Sequence, residues 1–320
     1  MNVPAPVLQG VEDALETHSV PDPKIAFASP VGGGCINPSA KLTTAGGDQF
    51  FLKWNSSSPP EMFEAEADGL RGLALAEALR VPTVLGLGGS GNTTGPGWLL
   101  LEFIPQGRPG PNYGKALGEG LATLHGSPHR AAAQAGDRES EPASESAFGW
   151  HRDNFIGSLP QENQPSEDWT SFWRDRRLEP QLKMARDRGH FTGERGRVLG
   201  TLLERLDTIM AGTEKDGPVL IHGDLWSGNF YAGPSGDPVI IDPAVYRGAG
   251  EVDLAMMELF GSFPHGFREA YGSGRNLRPE YDAFRRDLYQ LYYLLVHVNL
   301  FGGSYASGSI AAAERALRGA

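Results

Sequence analysis

The segment Ile221-His222-Gly223-Asp224-Leu225-Trp226-Ser227-Gly228-Asn229-Phe230 decides how the chain is read. It places a carboxylate, Asp224, five positions before a carboxamide, Asn229. Short apolar runs at 219–221 and 239–241 enclose it, so the polar stretch reads as a loop between two very short strands. A second carboxylate, Asp242, stands eighteen positions after the first, just past the second run. Taken alone, His-Gly-Asp is also an ordinary turn in which the Asp caps local amides. The added Asn and Asp change the reading, because phosphoryl transfer needs this set of parts. One Asp accepts the proton of the attacking hydroxyl, while an Asn and a second Asp hold Mg2+ on the phosphates. Mg2+ takes oxygen ligands and only a few from protein, so Asn229 and Asp242 suffice when ATP supplies the rest.

Protein kinases carry this spacing as H-R-D-x-x-x-x-N followed by D-F-G. Here Gly223 stands for the Arg, and Pro243 follows Asp242. The other half of such a site belongs upstream. Lys53 sits in the run Gln49-Phe50-Phe51-Leu52-Lys53-Trp54, which reads as a strand. A strand lysine of this kind holds the α- and β-phosphates and is oriented by a helix carboxylate. The following segment reads as a helix from Glu61 to near Arg80, with Phe63, Ala67, Leu70 and Ala74 on one stripe. Of its acidic residues Glu61, Glu64 and Glu66, the last lies nearest the middle and is the expected partner. Gly32, Gly33 and Gly34 precede the lysine strand and would let backbone amides approach phosphates. They do not match G-x-x-x-x-G-K-[ST], which argues against a P-loop protein.

Around these residues the organisation is that of two lobes. Leu8, Val11 and Leu15 predict a short opening helix, and residues 84–87 and 98–104 two further strands. After Pro105 the pattern turns helical, with stripes at 117–124, 169–188 and 198–210, and the longest helix around 284–298. Residues 131–146 form a polar, small-residue insertion. The fold class is therefore α+β: an N-terminal lobe (1–103) of antiparallel sheet with one main helix, and a mainly helical C-terminal lobe (104–320).

The 320 residues carry 28 Lys+Arg against 39 Asp+Glu, a net charge of −11, which argues against sequence-independent nucleic-acid binding. The single cysteine, Cys35, permits no intrachain disulfide. The first twenty residues lack a basic n-region and an apolar h-region, and no run approaches the ~20 apolar residues of a membrane span. The expectation is a soluble, cytoplasmic protein.

HGDLWSGN at 222–229 with DPAVYRGAGEVDLAMMELFG at 242–261 resembles the fructosamine/ketosamine 3-kinases, relatives of the aminoglycoside phosphotransferases with a protein-kinase-like fold. The likeness extends to GGGCIN at 32–37, FFLKWN at 50–55, FEAEADGL at 63–70, FGWHRDNFIG at 148–157, FWRDRRLEPQL at 172–182 and NLFGGSY at 299–305. It implies that ATP phosphorylates the 3-hydroxyl of a ketosamine, free or on a glycated protein lysine. With an amine at C1 and a ketone at C2, the sugar can enolise and expel a C3 phosphate, and the amine is released. Deglycation is the implied outcome. Residue by residue, the likeness makes Asp224 the base, Asn229 and Asp242 the metal ligands, and Lys53 with Glu66 the phosphate-orienting pair. It puts adenine against the backbone of Glu102, Phe103 and Ile104. Trp226 and His297 become acceptor contacts, each also readable as a core residue. Asp253 is expected to brace the catalytic loop. The family is known for a redox-sensitive cysteine at the position of Cys35, which could join two chains, so monomer and homodimer both stand.

Three other readings compete. An aminoglycoside-type kinase would share the generic motif. A non-catalytic nucleotide-binding module would have lost the base, the lysine or a ligand, and none is lost. A metallohydrolase using His222, Asp224, Asp242 and His265 would leave Lys53 and Glu66 unexplained.

Overall fold

The computed structural model describes residues 3–32, 37–57, 59, 61–89, 95–127, 147–213 and 217–319. Gly33, Gly34, Cys35 and the 131–146 insertion lie outside the described residues.

The lysine strand sits at the centre of the first sheet. Strands β1 (Ile25–Pro30), β2 (Ser39–Thr44), β3 (Gln49–Asn55), β4 (Val84–Gly88) and β5 (Gly97–Glu102) are antiparallel in the order β1-β2-β3-β5-β4. Alternation along β3 sends Phe50, Leu52 and Trp54 to one face, where they join Trp98 and Leu100 of β5. Helix α1 (Ala5–Thr17) covers that face with Val7, Val11 and Leu15. The stripe thus starts at Val7; Leu8 is only half-buried. Lys53 points to the opposite face, against helix α2 (Glu61–Leu75). That helix ends at Leu75, five residues before the expected Arg80, because Glu77 takes a left-handed conformation at φ 49°.

Beyond β5 an extended stretch leads into α3 (Tyr113–Gly126), and a small hairpin, β6 (Asn154–Ile156) and β7 (Leu159–Gln161), follows. The region expected as one helix over 169–188 is α4 (Trp169–Phe172), a π-helical stretch Trp173–Leu178, and α5 (Glu179–Asp187). The next divides at Arg205 into α6 (Gly193–Glu204) and α7 (Leu206–Ile209). Four short strands then frame the motif: β8 (Val219–Ile221), β9 (Phe230–Ala232), β10 (Pro238–Ile240) and β11 (Tyr246–Gly248). The two apolar runs seen in the sequence do not pair with each other. β8 pairs with β11 and β9 with β10, both antiparallel. This nested pairing lays the loop 222–229 beside the loop 241–245. Helices α8 (Glu251–Leu259), α9 (Phe267–Gly274), α10 (Arg286–Phe301) and α11 (Ala306–Gly319) complete the chain. A large aromatic and aliphatic core runs from α2 through α10, with Trp169, Trp173, Tyr289, Tyr292 and Tyr293 fully buried in it. No helix among the described residues is long and apolar enough to cross a membrane.

Candidate active site

The loop after β8 is held by its backbone. The Gly223 amide donates to Asp253 Oδ1 and the His222 amide to Asp253 Oδ2, each at 2.8 Å. Asp253 lies on α8 and is fully buried. His125, also fully buried, reaches Asp253 Oδ2 through Nε2 at 3.2 Å and Tyr271 Oη through Nδ1 at 2.9 Å. Burial holds the His125 imidazole below its usual pKa against the pull of Asp253, so a neutral ring donates from Nε2 and accepts from the tyrosine. Two residues before Asp253, Glu251 receives Arg285 Nε and Nη2 at 2.7 and 2.5 Å, a buried two-pronged pair that anchors the start of α8. Tyr293 Oη of α10 donates to the Gly223 carbonyl at 2.6 Å. Gly223 itself has φ 80°, and a Cβ there would lie 2.1 Å from the Ala244 carbonyl oxygen. Only glycine fits where protein kinases carry Arg. His222 is spent on structure: its Nε2 faces the Ile241 carbonyl at 2.9 Å.

The working side chains meet in front of this loop. Asn229 Nδ2 donates to Asp224 Oδ2 at 3.1 Å and to the Asp224 carbonyl at 2.8 Å. Asp242, on the neighbouring loop, occupies the left-handed region at φ 57°, a costly conformation for a non-glycine residue and one that gathers at functional sites. Lys53 Nζ donates to Asp242 Oδ1 and to Glu66 Oε1, both at 2.7 Å. One ammonium therefore ties the sheet, α2 and the 241–245 loop together. Burial opposes its charge, but the two carboxylates prevail and raise its pKa above the ordinary lysine value. Glu66 is raised by burial and by Asp242, against the attraction of Lys53. Burial, then the nearby Asp242 charge, pushes the Asp224 carboxyl up from 3.8 to about 7.

The donor set consists of oxygens: the Asp242 carboxylate, partly open to solvent, and the Asn229 amide oxygen. Hard divalent cations such as Mg2+ are held in this way. Among the described residues no three His, Cys, Asp or Glu side chains gather to hold a metal by themselves. A metal here needs further ligands from a bound phosphate. His265 lies with its backbone against Gly114 of α3, and among the described residues His222, Asp224, Asp242 and His265 do not gather into a metal-holding cluster.

The other expected residues fall around this centre. Trp226 is half-buried, with its indole lying over Gly228, where a Cβ would come within 2.4 Å of the ring. His297 packs against Phe260, Tyr305 and Phe301, ring centres 4.8, 5.0 and 5.5 Å away, and its Nδ1–H donates to the Tyr293 carbonyl at 2.8 Å. Phe260 is 38 % and Phe301 52 % exposed, an aromatic rim whose neighbour Gly261 faces Ser227 of the loop. At the end of β5 the Glu102 side chain pairs with Arg80 and Thr83, and the Ile104 carbonyl accepts from Tyr231 Oη at 2.9 Å. That carbonyl is engaged within the chain. Lys41 lies over the Phe103 ring. Gly32 is exposed with open space at its Cα. The sequence reading did not single out His125, Tyr293 or Arg285: Tyr293 bonds the loop directly, His125 and Arg285 brace α8 behind it, and contacts from such distant positions leave no spacing signature.

A family profile described as fructosamine kinase matches residues 7–318. The chain is 37 % identical to a probable ketoamine kinase of Synechocystis, over 99 % of both chains. It is 38 % identical to the chloroplastic protein-ribulosamine 3-kinase of Arabidopsis thaliana, over 90 % of this chain and 82 % of that one. A crystal structure from Thermobifida fusca, assigned to the fructosamine-3-kinases, superposes with a TM-score of 0.77 at 32 % identity, covering 92 % of this chain and 94 % of the other. Aminoglycoside phosphotransferase APH(4)-Ia shares the fold, with a TM-score of 0.57 at 15 % identity over 97 % and 98 % of the two chains. The two-lobed kinase-like architecture expected from the sequence is the one observed.

Proposed function

The chain belongs to the fructosamine kinase family, and from that premise we propose that it phosphorylates the 3-hydroxyl of ketosamines with ATP. Residues 1–103 serve as the nucleotide lobe and 104–320 as the catalytic and acceptor lobe. Asp224 takes the proton of the sugar hydroxyl as its oxygen attacks the γ-phosphorus and ADP departs. A pKa near 7 suits this task, since a base works best when its pKa lies near the working pH. Lys53, oriented by Glu66, binds phosphate oxygens in place of the Asp242 contact it makes here. Asn229 and Asp242 hold Mg2+, which when bound neutralises charge on the phosphates. Adenine lies against the backbone of 102–104, leaving the Ile104 carbonyl to Tyr231.

Trp226 and His297 face the acceptor. The Phe260–Phe301–Tyr305 rim suits the protonated amine and apolar stem of a ketosamine, because aromatic faces attract cations. We assign the activity to the cytoplasm, a reducing compartment that suits a chain with one cysteine. The observation that carries this reading is the convergence of Lys53, Glu66, Asp242, Asn229 and Asp224 at one point. ADP release with Mg-ATP and ribulosyl-lysine, fructosyl-lysine or kanamycin tests it. Turnover of a ketosamine, lost in Asp224→Ala, is expected; turnover of kanamycin alone overturns the acceptor assignment.

A further inference from the structure

Helix α2 carries Glu66, and its rotation about its own axis decides whether that carboxylate meets Lys53. Glu64, Asp68 and Gly72 follow one another at four-residue steps and line one face of the helix. At about 100° per residue, Asp68 is turned roughly 200° from Glu66, so the two carboxylates grip from opposite sides. Asp68 Oδ2 accepts from Trp150 Nε1 at 2.7 Å and pairs with His151 Nε2 at 3.1 Å. Glu64 Oε2 receives Arg152 Nη2 at 3.2 Å. The Trp150 ring closes over Gly72, where a Cβ would stand 3.2 Å from it.

The segment holding these three partners is itself tied to the loop that carries Asp242. Gly149 and Arg247 of β11 exchange backbone hydrogen bonds at 2.9 and 2.8 Å. Asn154 Nδ2 donates to the Val245 carbonyl at 2.8 Å, and the Trp150 amide to the Asn163 carbonyl at 2.9 Å. Gly69 of α2 meets Val245 directly, its Cβ position 3.1 Å from Cγ2. One stretch of chain thus positions Asp242 and, through residues 149–154, the helix that carries Glu66. A rotation of α2 by about 20° would swing a carboxylate ~6 Å from the axis through ~2 Å, enough to break the contact with Lys53.

We propose that Asp68 and Trp150 are positioning residues for nucleotide phosphate binding: their hydrogen bond pins α2 so that Glu66 holds Lys53 in place. Protein kinases gain control by moving the equivalent helix; this chain fixes it. The inference rests on the reading of Lys53 and Glu66 as the phosphate pair, and its test is independent of the acceptor. Calorimetric affinity for Mg-AMP-PNP is measured for the full-length wild type, Asp68→Ala, Asp68→Asn, Trp150→Phe, Glu66→Gln and the double variant Asp68→Ala/Glu66→Gln. Loss of a part-buried hydrogen bond to a charged group should weaken nucleotide binding about tenfold in Asp68→Ala and Trp150→Phe. Asp68→Asn, which keeps an oxygen for the indole, should recover most of it. In the Glu66→Gln background Asp68→Ala should add nothing, because it acts through that residue. Unchanged affinity in Trp150→Phe, or losses that multiply in the double variant, would overturn the proposal. Should Asp68→Ala not fold, Trp150→Phe alone and combined with Glu66→Gln carries the same cycle. Nucleotide binding without ketosamine turnover in the wild type would sink the acceptor assignment and leave this cycle valid, whereas a wild type that binds no nucleotide would sink both.

Discussion

Asp253 and Asp224 flank the same loop, one behind it and one in front, under opposite electrostatic conditions. Asp253 is fully buried and receives two backbone amides and an imidazole. Asp224 is partly open, receives the Asn229 amide and faces the Asp242 charge. The first is satisfied and holds the loop; the second is left short of donors and titrates near neutrality. Around this loop the supporting carboxylate and the reactive one are kept apart, on opposite sides of the backbone. Behind the loop the carboxylate is hidden and fully bonded; in front of it the carboxylate opens toward substrate and is imperfectly matched.

The largest expected effect separates the two aspartates. Asp224→Asn should lower kcat by roughly 10³-fold, the middle of the range for loss of a general base, with little change in fold. Asp253→Ala should instead destabilise the protein by about 3 kcal/mol or more, because it strands two buried amides and His125. Chemical denaturation of both variants compares them directly, and a destabilised Asp224→Asn beside an intact Asp253→Ala would invert the contrast.

A second test uses pH. The Asp224 carboxyl is raised from 3.8 to about 7, so the native state holds its proton more tightly than the unfolded chain. Stability from this group therefore falls as pH rises from about 4 to about 7, and the penalty is complete above that. In metal-free protein at pH 8, Asp224→Asn should be more stable than wild type by on the order of 2 kcal/mol, the partial exposure of the group reducing the full value. The difference should vanish near pH 4. In the same range, kcat/KM should fall about tenfold per unit below pH 7 as the base is protonated. A flat profile between pH 5 and 8 would contradict the assignment of the base. The smallest effect is expected at the rim. Phe301→Ala should raise the ketosamine KM about threefold, a cation–π contact at an exposed site, and leave the ATP KM alone. Steady-state kinetics with each substrate varied in turn would show the split.

The parts of the site that follow one another closely in the chain were legible. Asp224, Asn229 and Asp242 lie within nineteen residues, and the hairpin nesting that joins them needs only short strands. Lys53 and Glu66 were legible as a strand lysine followed by a helix carboxylate, and the structure unites them at 2.7 Å. The supports were not. His125 meets Asp253 across 128 positions and Trp150 meets Asp68 across 82. Such contacts are set by tertiary packing, which imposes no spacing on the sequence. The early end of α2 was missed for a local reason: nothing in Ala76-Glu77-Ala78 announces that Glu77 turns left-handed. The pairing of β8 with β11 was hidden because each strand has three residues, too few to show a period.

The most direct measurement is 31P and 13C NMR of the reaction of the wild type with Mg-ATP and a 13C-labelled ketosamine. Phosphorus coupling at C3 is expected, followed by release of inorganic phosphate and the free amine, with no such signals from Asp224→Asn. Phosphate appearing on another hydroxyl, or ATP consumed with the ketosamine unchanged, would contradict it.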